Sequence, residues 1–389
     1  MRKITADKIY TISHDVLENH VIVLEEDGTI LAIEPISQQV SSSILRFKGV
    51  LIPGFINAHC HLELSHMKGR IPTGTGLIPF IKNIVQYRGD YSEAQIQAAI
   101  KQADADMRAA GIVAVGDISN TTDTIAIKSK SDIHYHTFVE MFDFMVDASA
   151  QERFDEYKGV ADQYQSQSLP YTLVPHAPYS TSRRLFELIQ QHQVAADVTV
   201  SIHNQEMQPE SDLFLSKSGD LIPFYTDFGI PIADWLPTQQ ASIQYALQEM
   251  DAQKRTLFVH NTLTSPEDIA AAHNWNPRTY WVTCPNANLY IENRLPRYEH
   301  FIAADAKMTV GTDSLTSNWQ LSVLKELKTI ARYQSFVPNE MLLRWATLNG
   351  AEALGLEDRL GSIEVGKRPG INLLSEEQIS DATQVTKIV

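Results

Sequence analysis

The chain has 389 residues, with 47 acidic side chains against 32 basic ones and a formal net charge of −15. Its hydrophobic fraction of 43% allows a large buried core, and no stretch reaches the ~18 apolar residues of a membrane span. The acidic balance argues against nucleic-acid or anionic-membrane partners, whose phosphates need lysine and arginine. Two cysteines and no apolar leader predict a cytoplasmic protein with a small-molecule partner, either alone or as a homo-oligomer.

Both ends of the chain have the pattern of β-strands. Near the N-terminus, two apolar runs at 21–24 and 30–33 flank the dipeptide Asp27-Gly28. Aspartate and glycine tolerate a positive φ, so this arrangement predicts a β-hairpin. Short apolar runs return in residues 356–389, where they predict further strands.

Between these ends, short apolar runs alternate with helix-like stretches. This alternation predicts βαβ units, and eight such runs favour a closed (β/α)8 TIM barrel. The alternative, a doubly wound open sheet, usually carries a glycine-rich turn after its first strand, which this chain lacks. The predicted strands are 51–57, 112–117, 135–142, 171–176, 198–203, 256–260, 279–284 and 307–312. The predicted helices include 92–110, 181–194, 238–252, 265–273, 318–333 and 339–354.

Local signals mark two helix starts and one long insert. Ser92 with Gln95, and Ser265 followed by Pro266, are typical of helix N-termini. The segment 206–237 is longer than ordinary βα loops and is rich in aromatic residues. We therefore expect an ordered lid in this segment.

The strongest chemical signal is the pair His59 and His61 at the end of the first predicted strand. Residues two apart in a strand point to the same side, so both rings would bind one divalent metal ion. The pair is a weak signal alone, but His203, His260 and Asp313 also stand at predicted strand ends. In a closed barrel these ends converge on the active-site face. Such donors favour Zn²⁺, with Fe²⁺ or Mn²⁺ as alternatives.

Three further residues are candidates for catalysis or substrate binding. Glu206 follows His203 by three residues and would act as an acid or base beside metal-activated water, the alternative being a solvated loop glutamate. His176 lies between two prolines, which favours a substrate contact over a packed loop histidine. Glu63 would either bind polar groups of the substrate or cap the turn after His61.

Taken in order, the motifs resemble those of the amidohydrolase superfamily. Within it, the chain is most similar to the mononuclear aminohydrolases related to chlorohydrolases, guanine deaminase and adenosylhomocysteine/methylthioadenosine deaminase. The segment 61–66 and the aromatic insert also resemble aminodeoxyfutalosine deaminases. The tail departs from the family pattern at 368–372, which concerns the terminal strands and not the site. The motifs are PGFINAHCH at 53–61, HNQE at 203–206, VHNT at 259–262, CPN at 284–286, GTDS at 311–314 and GSIEVGK at 361–367.

The resemblance implies one metal ion and a split domain. Binuclear relatives have a carboxylated lysine at the end of the fourth strand, where this chain has His176. The terminal segments would fold together as a small discontinuous β-sandwich. The implied metal ligands are His59, His61, His203 and Asp313. The expected domains are a β-sandwich from 1–50 and 356–389 and a metal-dependent hydrolase barrel from 51–355.

The implied reaction is hydrolytic deamination of an amino-substituted N-heterocycle with release of ammonia. The expected substrate is an adenosine-type nucleoside derivative of the aminodeoxyfutalosine, methylthioadenosine or adenosylhomocysteine class. Asp313 and His260 would orient and deprotonate the attacking water, and Glu206 would protonate the ring nitrogen. His176 would contact the substrate.

Other functions stay open at this point. The same residues would serve a deaminase of free guanine, cytosine or a triazine, or a related chloro- or amidohydrolase. A non-catalytic scaffold barrel would be expected to have lost its ligands, and all of them are present. A metal-free barrel with the histidines as core packing would bind no zinc. The sequence also does not select which arginine would set specificity among Arg70, Arg88, Arg183 and Arg294.

Overall fold

The computed structural model describes residues 1–39, 43–193, 195 and 197–389. No helix within these ranges is long and apolar enough to cross a membrane. The strands are β1 (Arg2–Thr5), β2 (Lys8–Ile9), β3 (His20–Leu24), β4 (Ile30–Pro35), β5 (Ile44–Arg46), β6 (Val50–Pro53), β7 (Phe55–Cys60), β8 (Ile112–Ser119), β9 (His134–Met141), β10 (Tyr171–Pro175), β11 (Thr199–Asn204), β12 (Arg255–His260), β13 (Thr279–Thr283), β14 (Met308–Val310), β15 (Ile371–Leu374) and β16 (Val385–Lys387). The helices are α1 (Leu77–Tyr87), α2 (Glu93–Ala109), α3 (Ile125–Lys128), α4 (Ala150–Ser166), α5 (Arg183–His192), α6 (Gln208–Ser216), α7 (Leu221–Asp227), α8 (Ser242–Glu249), α9 (Pro266–Trp275), α10 (Pro285–Glu292), α11 (Tyr298–Ala303), α12 (Val323–Tyr333), α13 (Asn339–Trp345) and α14 (Leu348–Leu354).

Two four-stranded parallel sheets form the centre of this α/β fold. Their orders are β10-β9-β8-β7 and β11-β12-β13-β14. The sheets meet at their carboxyl ends, where the His203 amide donates to the His176 carbonyl at 2.9 Å. On the other side, the Thr312 amide donates to the His59 carbonyl, also at 2.9 Å. All strand ends that carry predicted site residues therefore lie on one face.

The run predicted as the first parallel strand, 51–57, is divided between two sheets. β6 pairs with β15 and β2, whereas β7 starts at Phe55 and pairs with β8. Gly54 separates them, and a Cβ at this position would collide with the side chain of Val113 and the carbonyl of Pro369. The prediction of one strand ending at residue 57 is wrong, because β7 continues to Cys60.

Residues from both ends of the chain form two further four-stranded sheets, β4-β3-β1-β5 and β16-β15-β6-β2. The predicted hairpin is confirmed: β3 and β4 are antiparallel around Asp27-Gly28, and Gly28 has a φ of 94°. Apolar side chains from both termini share one buried cluster. Its members are Ile4, Ile9, Ile22, Leu24, Ile30, Leu51, Ile363 and Ile371.

The predicted helices are present, but several are shorter than predicted: 238–252 is a helix only over Ser242–Glu249, and 318–333 only over Val323–Tyr333. The capping boxes at Ser92 and Ser265 are confirmed. The stretch 339–354 is two helices, α13 and α14, instead of the predicted one. The predicted helix 181–194 spans Arg183–His192, and residue 194 lies outside the described residues. The insert 206–237 contains α6 and α7.

A buried ion pair supports the segment that carries the first histidines. Lys128 Nζ lies 2.6 Å from Asp117 Oδ2, and neither side chain is exposed. Lys128 also donates to Thr137 Oγ1 at 2.9 Å, and Asp117 Oδ1 accepts from the Leu62 amide at 2.8 Å. The pair therefore ties β8 and β9 to the backbone that directly follows His61.

We expect Lys128→Met to destabilise the fold by about 3–5 kcal/mol, because it leaves the Asp117 carboxylate buried without its cation. The measurement is the free energy of unfolding by chemical denaturation. Lys158→Met is the matched control, since Lys158 pairs with Asp162 on α4 where both side chains are partly exposed to solvent. It should cost less than about 1 kcal/mol, and equal losses for the two variants would contradict this role of the buried pair.

Candidate active site

Side chains from four strand ends meet at the carboxyl face of the parallel sheets. His59 and His61 stand at the end of β7, and their ring centroids are 4.9 Å apart. His203 comes from β11 and His260 from β12, with centroids 4.9 Å and 5.7 Å from that of His59. Asp313, three residues after the end of β14, places Oδ1 3.4 Å from His61 Nε2 and 3.6 Å from His59 Nε2. The structure thus brings these five predicted residues together.

The local backbone conformation directs these side chains towards one another. His260 and Asp313 both adopt left-handed backbone conformations, with φ values of 74° and 57°. Such values are uncommon for residues other than glycine and often occur at functional sites. Gly311 lies where a Cβ would stand 2.8 Å from His59 Cβ and 2.9 Å from Cys284 Sγ. A glycine there lets the strand end run close beside His59.

The Asp313 carboxylate is held by neighbouring side chains. Ser317 Oγ donates to its Oδ2 at 2.6 Å. One residue earlier, Thr312 is bound to the side-chain amide of Asn57. Asn57 Nδ2 donates to Thr312 Oγ1 at 2.8 Å, and the Thr312 backbone amide donates to Asn57 Oδ1 at 3.0 Å. Although burial alone would raise the pKa of Asp313, the ring of His59 and neighbouring histidines hold that pKa well below its usual range. The carboxylate is therefore ionised.

Burial separates the protonation states of the imidazole rings. It lowers the pKa of His59, His61 and His260 to about 4, so these rings are neutral at pH 7. Burial also opposes a proton on His203, but Glu140 and other carboxylates raise the pKa of this ring to about 9. The negative surroundings that favour a proton on His203 favour a metal cation at the same place.

The donor set fits a divalent metal ion. The Nε2 atoms of His59 and His61 lie 3.2 Å apart, and one ligand atom from each of His59, His61 and His203 lies within 4.8 Å of the others. Ligand atoms of one tetrahedral zinc ion, at about 2.0–2.1 Å from it, are separated by roughly 3.3–3.4 Å. Neutral imidazoles and an ionised carboxylate are also the forms that bind metals.

Glu206 lies beside His260 at the edge of this cluster. Its Oε1 is 3.6 Å from His260 Nε2, and burial raises the pKa of Glu206 to about 8. His260 Nδ1 lies 2.8 Å from Asn288 Oδ1. An amide oxygen only accepts, so Nδ1 carries the hydrogen and Nε2 presents its lone pair towards Glu206. A glutamic acid that holds a proton therefore faces a neutral imidazole.

A cavity opens beside the cluster, and its lining includes His61, His203, Glu206 and Asp313. His176 also lines this cavity. Its Nδ1 is 2.6 Å from Ser180 Oγ, and this hydroxyl donates to the Ala177 carbonyl at 3.2 Å. The serine oxygen is thus left to accept the Nδ1 hydrogen, so that Nε2 keeps a free lone pair. Burial lowers the pKa of His176 to about 4, so the ring is neutral.

Glu63 lies against a neighbouring loop and is not among the residues that line the cavity. Its Oε2 accepts from the amides of Asn120 and Thr121, each at 3.0 Å. Its Oε1 is 3.1 Å from Arg88 Nη2. These contacts join Glu63 to the loop after β8 and to Arg88, and both a role in substrate binding and a role in capping its own turn stay predictions.

A hydrophobic wall stands opposite the polar groups. It includes four α1 residues spaced as one face of a helix. α1 was not among the predicted helices, although this spacing would have indicated it. Asn288 and Glu140 were also not predicted, because the sequence carries no local signal for either. The α1 residues that line the cavity are Leu77, Phe80, Ile81 and Ile84.

The chain is similar to known deaminases in sequence and fold. It is 27% identical over 328 residues to a Helicobacter pylori adenosine deaminase. This aligned region covers 83% of this chain and 78% of that protein. The structure of Helicobacter pylori aminofutalosine deaminase in complex with methylthio-coformycin superposes with a TM-score of 0.85 at 23% identity, covering 100% of both chains. An adenosine deaminase from Xanthomonas campestris with bound zinc has a TM-score of 0.72 at 22% identity, covering 96% of this chain and 84% of that one.

These comparisons agree with the motifs that the sequence carries. Residues 50–388 match the Amidohydrolase family. The matched range includes every residue of the histidine cluster, the aspartate after β14 and the glutamate beside it. The chain therefore belongs to the amidohydrolase family.

Proposed function

We propose that the chain is a metal-dependent hydrolytic deaminase of an adenosine-type nucleoside derivative, from which it releases ammonia. The observation that carries this proposal is the convergence of the imidazoles of His59, His61 and His203 and an ionised carboxylate beside Glu206, whose pKa is raised to about 8. The names of the similar proteins, adenosine deaminase and aminofutalosine deaminase, support the adenosine-type substrate.

We also propose the domain arrangement expected from the sequence. Residues 51–355 would form a closed barrel, a proposal supported by the hydrogen bonds that join the two parallel sheets at both sides. Residues 1–50 and 356–389 would form a split β-sandwich, supported by the apolar cluster to which both termini contribute.

In this proposal the metal ion is held by His59, His61, His203 and Asp313. Three nitrogen donors and one oxygen donor favour zinc over iron or manganese. When bound, the metal would supply a water whose pKa it lowers towards about 7.

The chain's own side chains would move the protons of the reaction. Asp313 and His260 Nε2 orient the attacking water and accept its proton, and the Asn288 contact keeps that nitrogen free of hydrogen. Glu206 delivers its carboxyl proton to the ring nitrogen beside the attacked carbon, which makes that carbon more electrophilic. The amino group then takes a proton, either the one that Asp313 received from the water or one that Glu206 takes up from the new hydroxyl group. The C–N bond breaks, ammonia leaves, and the hydroxyl group becomes a carbonyl as it loses its proton.

The cavity walls would orient the substrate. His176 Nε2 offers a lone pair to a hydroxyl or N–H of the substrate. The α1 face, with Phe80 and Ile84, would receive the uncharged part that lies away from the amino group. Among the described residues that line the cavity, none is an arginine or lysine, which favours a substrate without a phosphate in this region.

Glu206→Gln should lower kcat about 10²–10⁴-fold, because the amide cannot transfer the proton that general acid–base catalysis requires. Metal content and the thermal unfolding midpoint serve as controls and should stay unchanged, since glutamine has nearly the same size. Near-normal ammonia release by this variant would eliminate the assigned role of Glu206.

His61→Ala should lose most of the bound metal, because it removes one of four ligand atoms and opens the site to water. Elemental analysis after gel filtration measures the metal content per chain. His66→Ala is the matched control, since His66 lies five residues further on, with its ring against Tyr91. Equal metal content in the wild type and the His61 variant would refute the proposed ligand set.

Ammonia release is expected from adenosine, methylthioadenosine and aminodeoxyfutalosine, and not from free adenine, guanine or cytosine. Activity confined to free bases would contradict the nucleoside assignment.

Ile84→Ala should raise KM for the accepted nucleosides about tenfold, because it removes apolar contact from the wall. Val85→Ala, one position along α1 and 59% exposed, should leave KM unchanged. Equal effects of the two variants would contradict the proposed role of the α1 face in substrate binding.

A further inference from the structure

Glu140 is a buried carboxylate behind the histidine cluster that the reaction proposed above does not use. It lies one residue before the end of β9 and is 3% exposed. The next residue, Met141, accepts a hydrogen bond from the His176 amide at 3.0 Å. This bond places the end of β9 directly beside the segment that leads to the site. A carboxylate buried at this depth requires a compensating partner.

The partner is the ring of His203. Glu140 Oε1 lies 3.2 Å from His203 Nδ1, and the His176 carbonyl oxygen lies 2.9 Å from the same nitrogen. Among the described residues, Oε1 makes no hydrogen bond, and the His203 ring is its partner in an ion pair. Both neighbours of Nδ1 are acceptors, so this nitrogen carries the hydrogen. Once a metal ion displaces the second proton of the ring, the hydrogen stays on Nδ1 and the lone pair of Nε2 binds the metal.

We propose that Glu140 is a positioning residue that holds His203 in the orientation and tautomer needed to bind the metal ion. The proposal rests on the metal site of the proposed function. A carboxylate on the far side of a ligating imidazole makes the ring a stronger donor, and the metal charge offsets the buried negative charge. His176 and Glu140 also lie close enough to His203 to form a second group of possible ligands, so the experiment separates positioning from ligation.

The test compares Glu140→Gln with the wild type in the whole chain loaded with Zn²⁺. The amide preserves the shape of the side chain and removes its charge. Competition with a chromophoric chelator should show affinity for Zn²⁺ reduced about 10–100-fold, while elemental analysis shows one ion per chain in both proteins. The kcat for ammonia release should fall while KM changes little.

Asp143→Asn is the matched control. Asp143 is a buried carboxylate on the same segment, and its Oδ1 accepts from the amides of Ser182 and Met145 at 2.8 Å and 3.1 Å. Because Asp143 is hydrogen-bonded to backbone amides and to the Ser182 hydroxyl, the affinity of this variant for Zn²⁺ should stay within about twofold of the wild type. A loss equal to that of Glu140→Gln would overturn the proposal, since it would reflect general loosening of the segment.

Two further results would overturn the proposal. One is an unchanged affinity for Zn²⁺ in Glu140→Gln, and the other is a metal content of two per wild-type chain that falls to one in the variant, which would make Glu140 a ligand. If Glu140→Gln does not fold, Glu140→Asp keeps the charge at a greater distance. It should shift the visible absorption of the Co²⁺-loaded protein, and an unchanged spectrum would count against positioning.

The same measurements distinguish this inference from the proposed function. A wild-type chain that binds one Zn²⁺ and releases no ammonia from any nucleoside would refute the deaminase assignment. If Glu140→Gln still lost affinity for Zn²⁺, the positioning role would stand. Conversely, deamination with unchanged affinity in the variant would overturn only the role of Glu140.

Discussion

The rest of this structure depends on the burial of one carboxylate among several imidazole rings at a single point. The Asp313 carboxylate lies 3.4 Å and 3.6 Å from the Nε2 atoms of His61 and His59, which are themselves 3.2 Å apart. Such a group of polar atoms is stable away from water only when its geometry is rigid and its charge is balanced. The hydrogen bonds between Asn57 and Thr312, the Ser317 hydroxyl and the ion pair of Lys128 all act to keep that geometry.

Burial also gives chemically similar groups different protonation states. It lowers the pKa of His59, His61 and His260 to about 4 and raises the pKa of Glu206 to about 8. The cluster thus holds free nitrogen lone pairs directly beside a carboxylic acid that still has its proton. Metal binding requires the first state, and proton transfer to a heterocycle requires the second.

Much of the site was readable from the chain because its residues stand at fixed places relative to the strands. His59 and His61 share one side of a strand, and Asp313 follows an apolar run, so strand periodicity and a converging sheet predicted their meeting. Glu140 was not predictable in this way. It sits within an apolar strand, and its role becomes visible only through His203, which is 63 positions away in the chain and comes from a different sheet.

The sequence by itself determined the alternation of strands and helices, the helix caps, the hairpin at Asp27-Gly28 and the placement of the histidines and Asp313 at strand ends, because these depend on local periodicity and backbone preference. Only the tertiary structure decided that β6 and β7 separate at Gly54, that α1 forms the apolar wall and that Glu63 contacts Arg88 away from the cavity. The physical reason is that these features depend on the assembled fold. Contacts between distant segments, and the desolvation that shifts each pKa, produce no periodic pattern in the sequence.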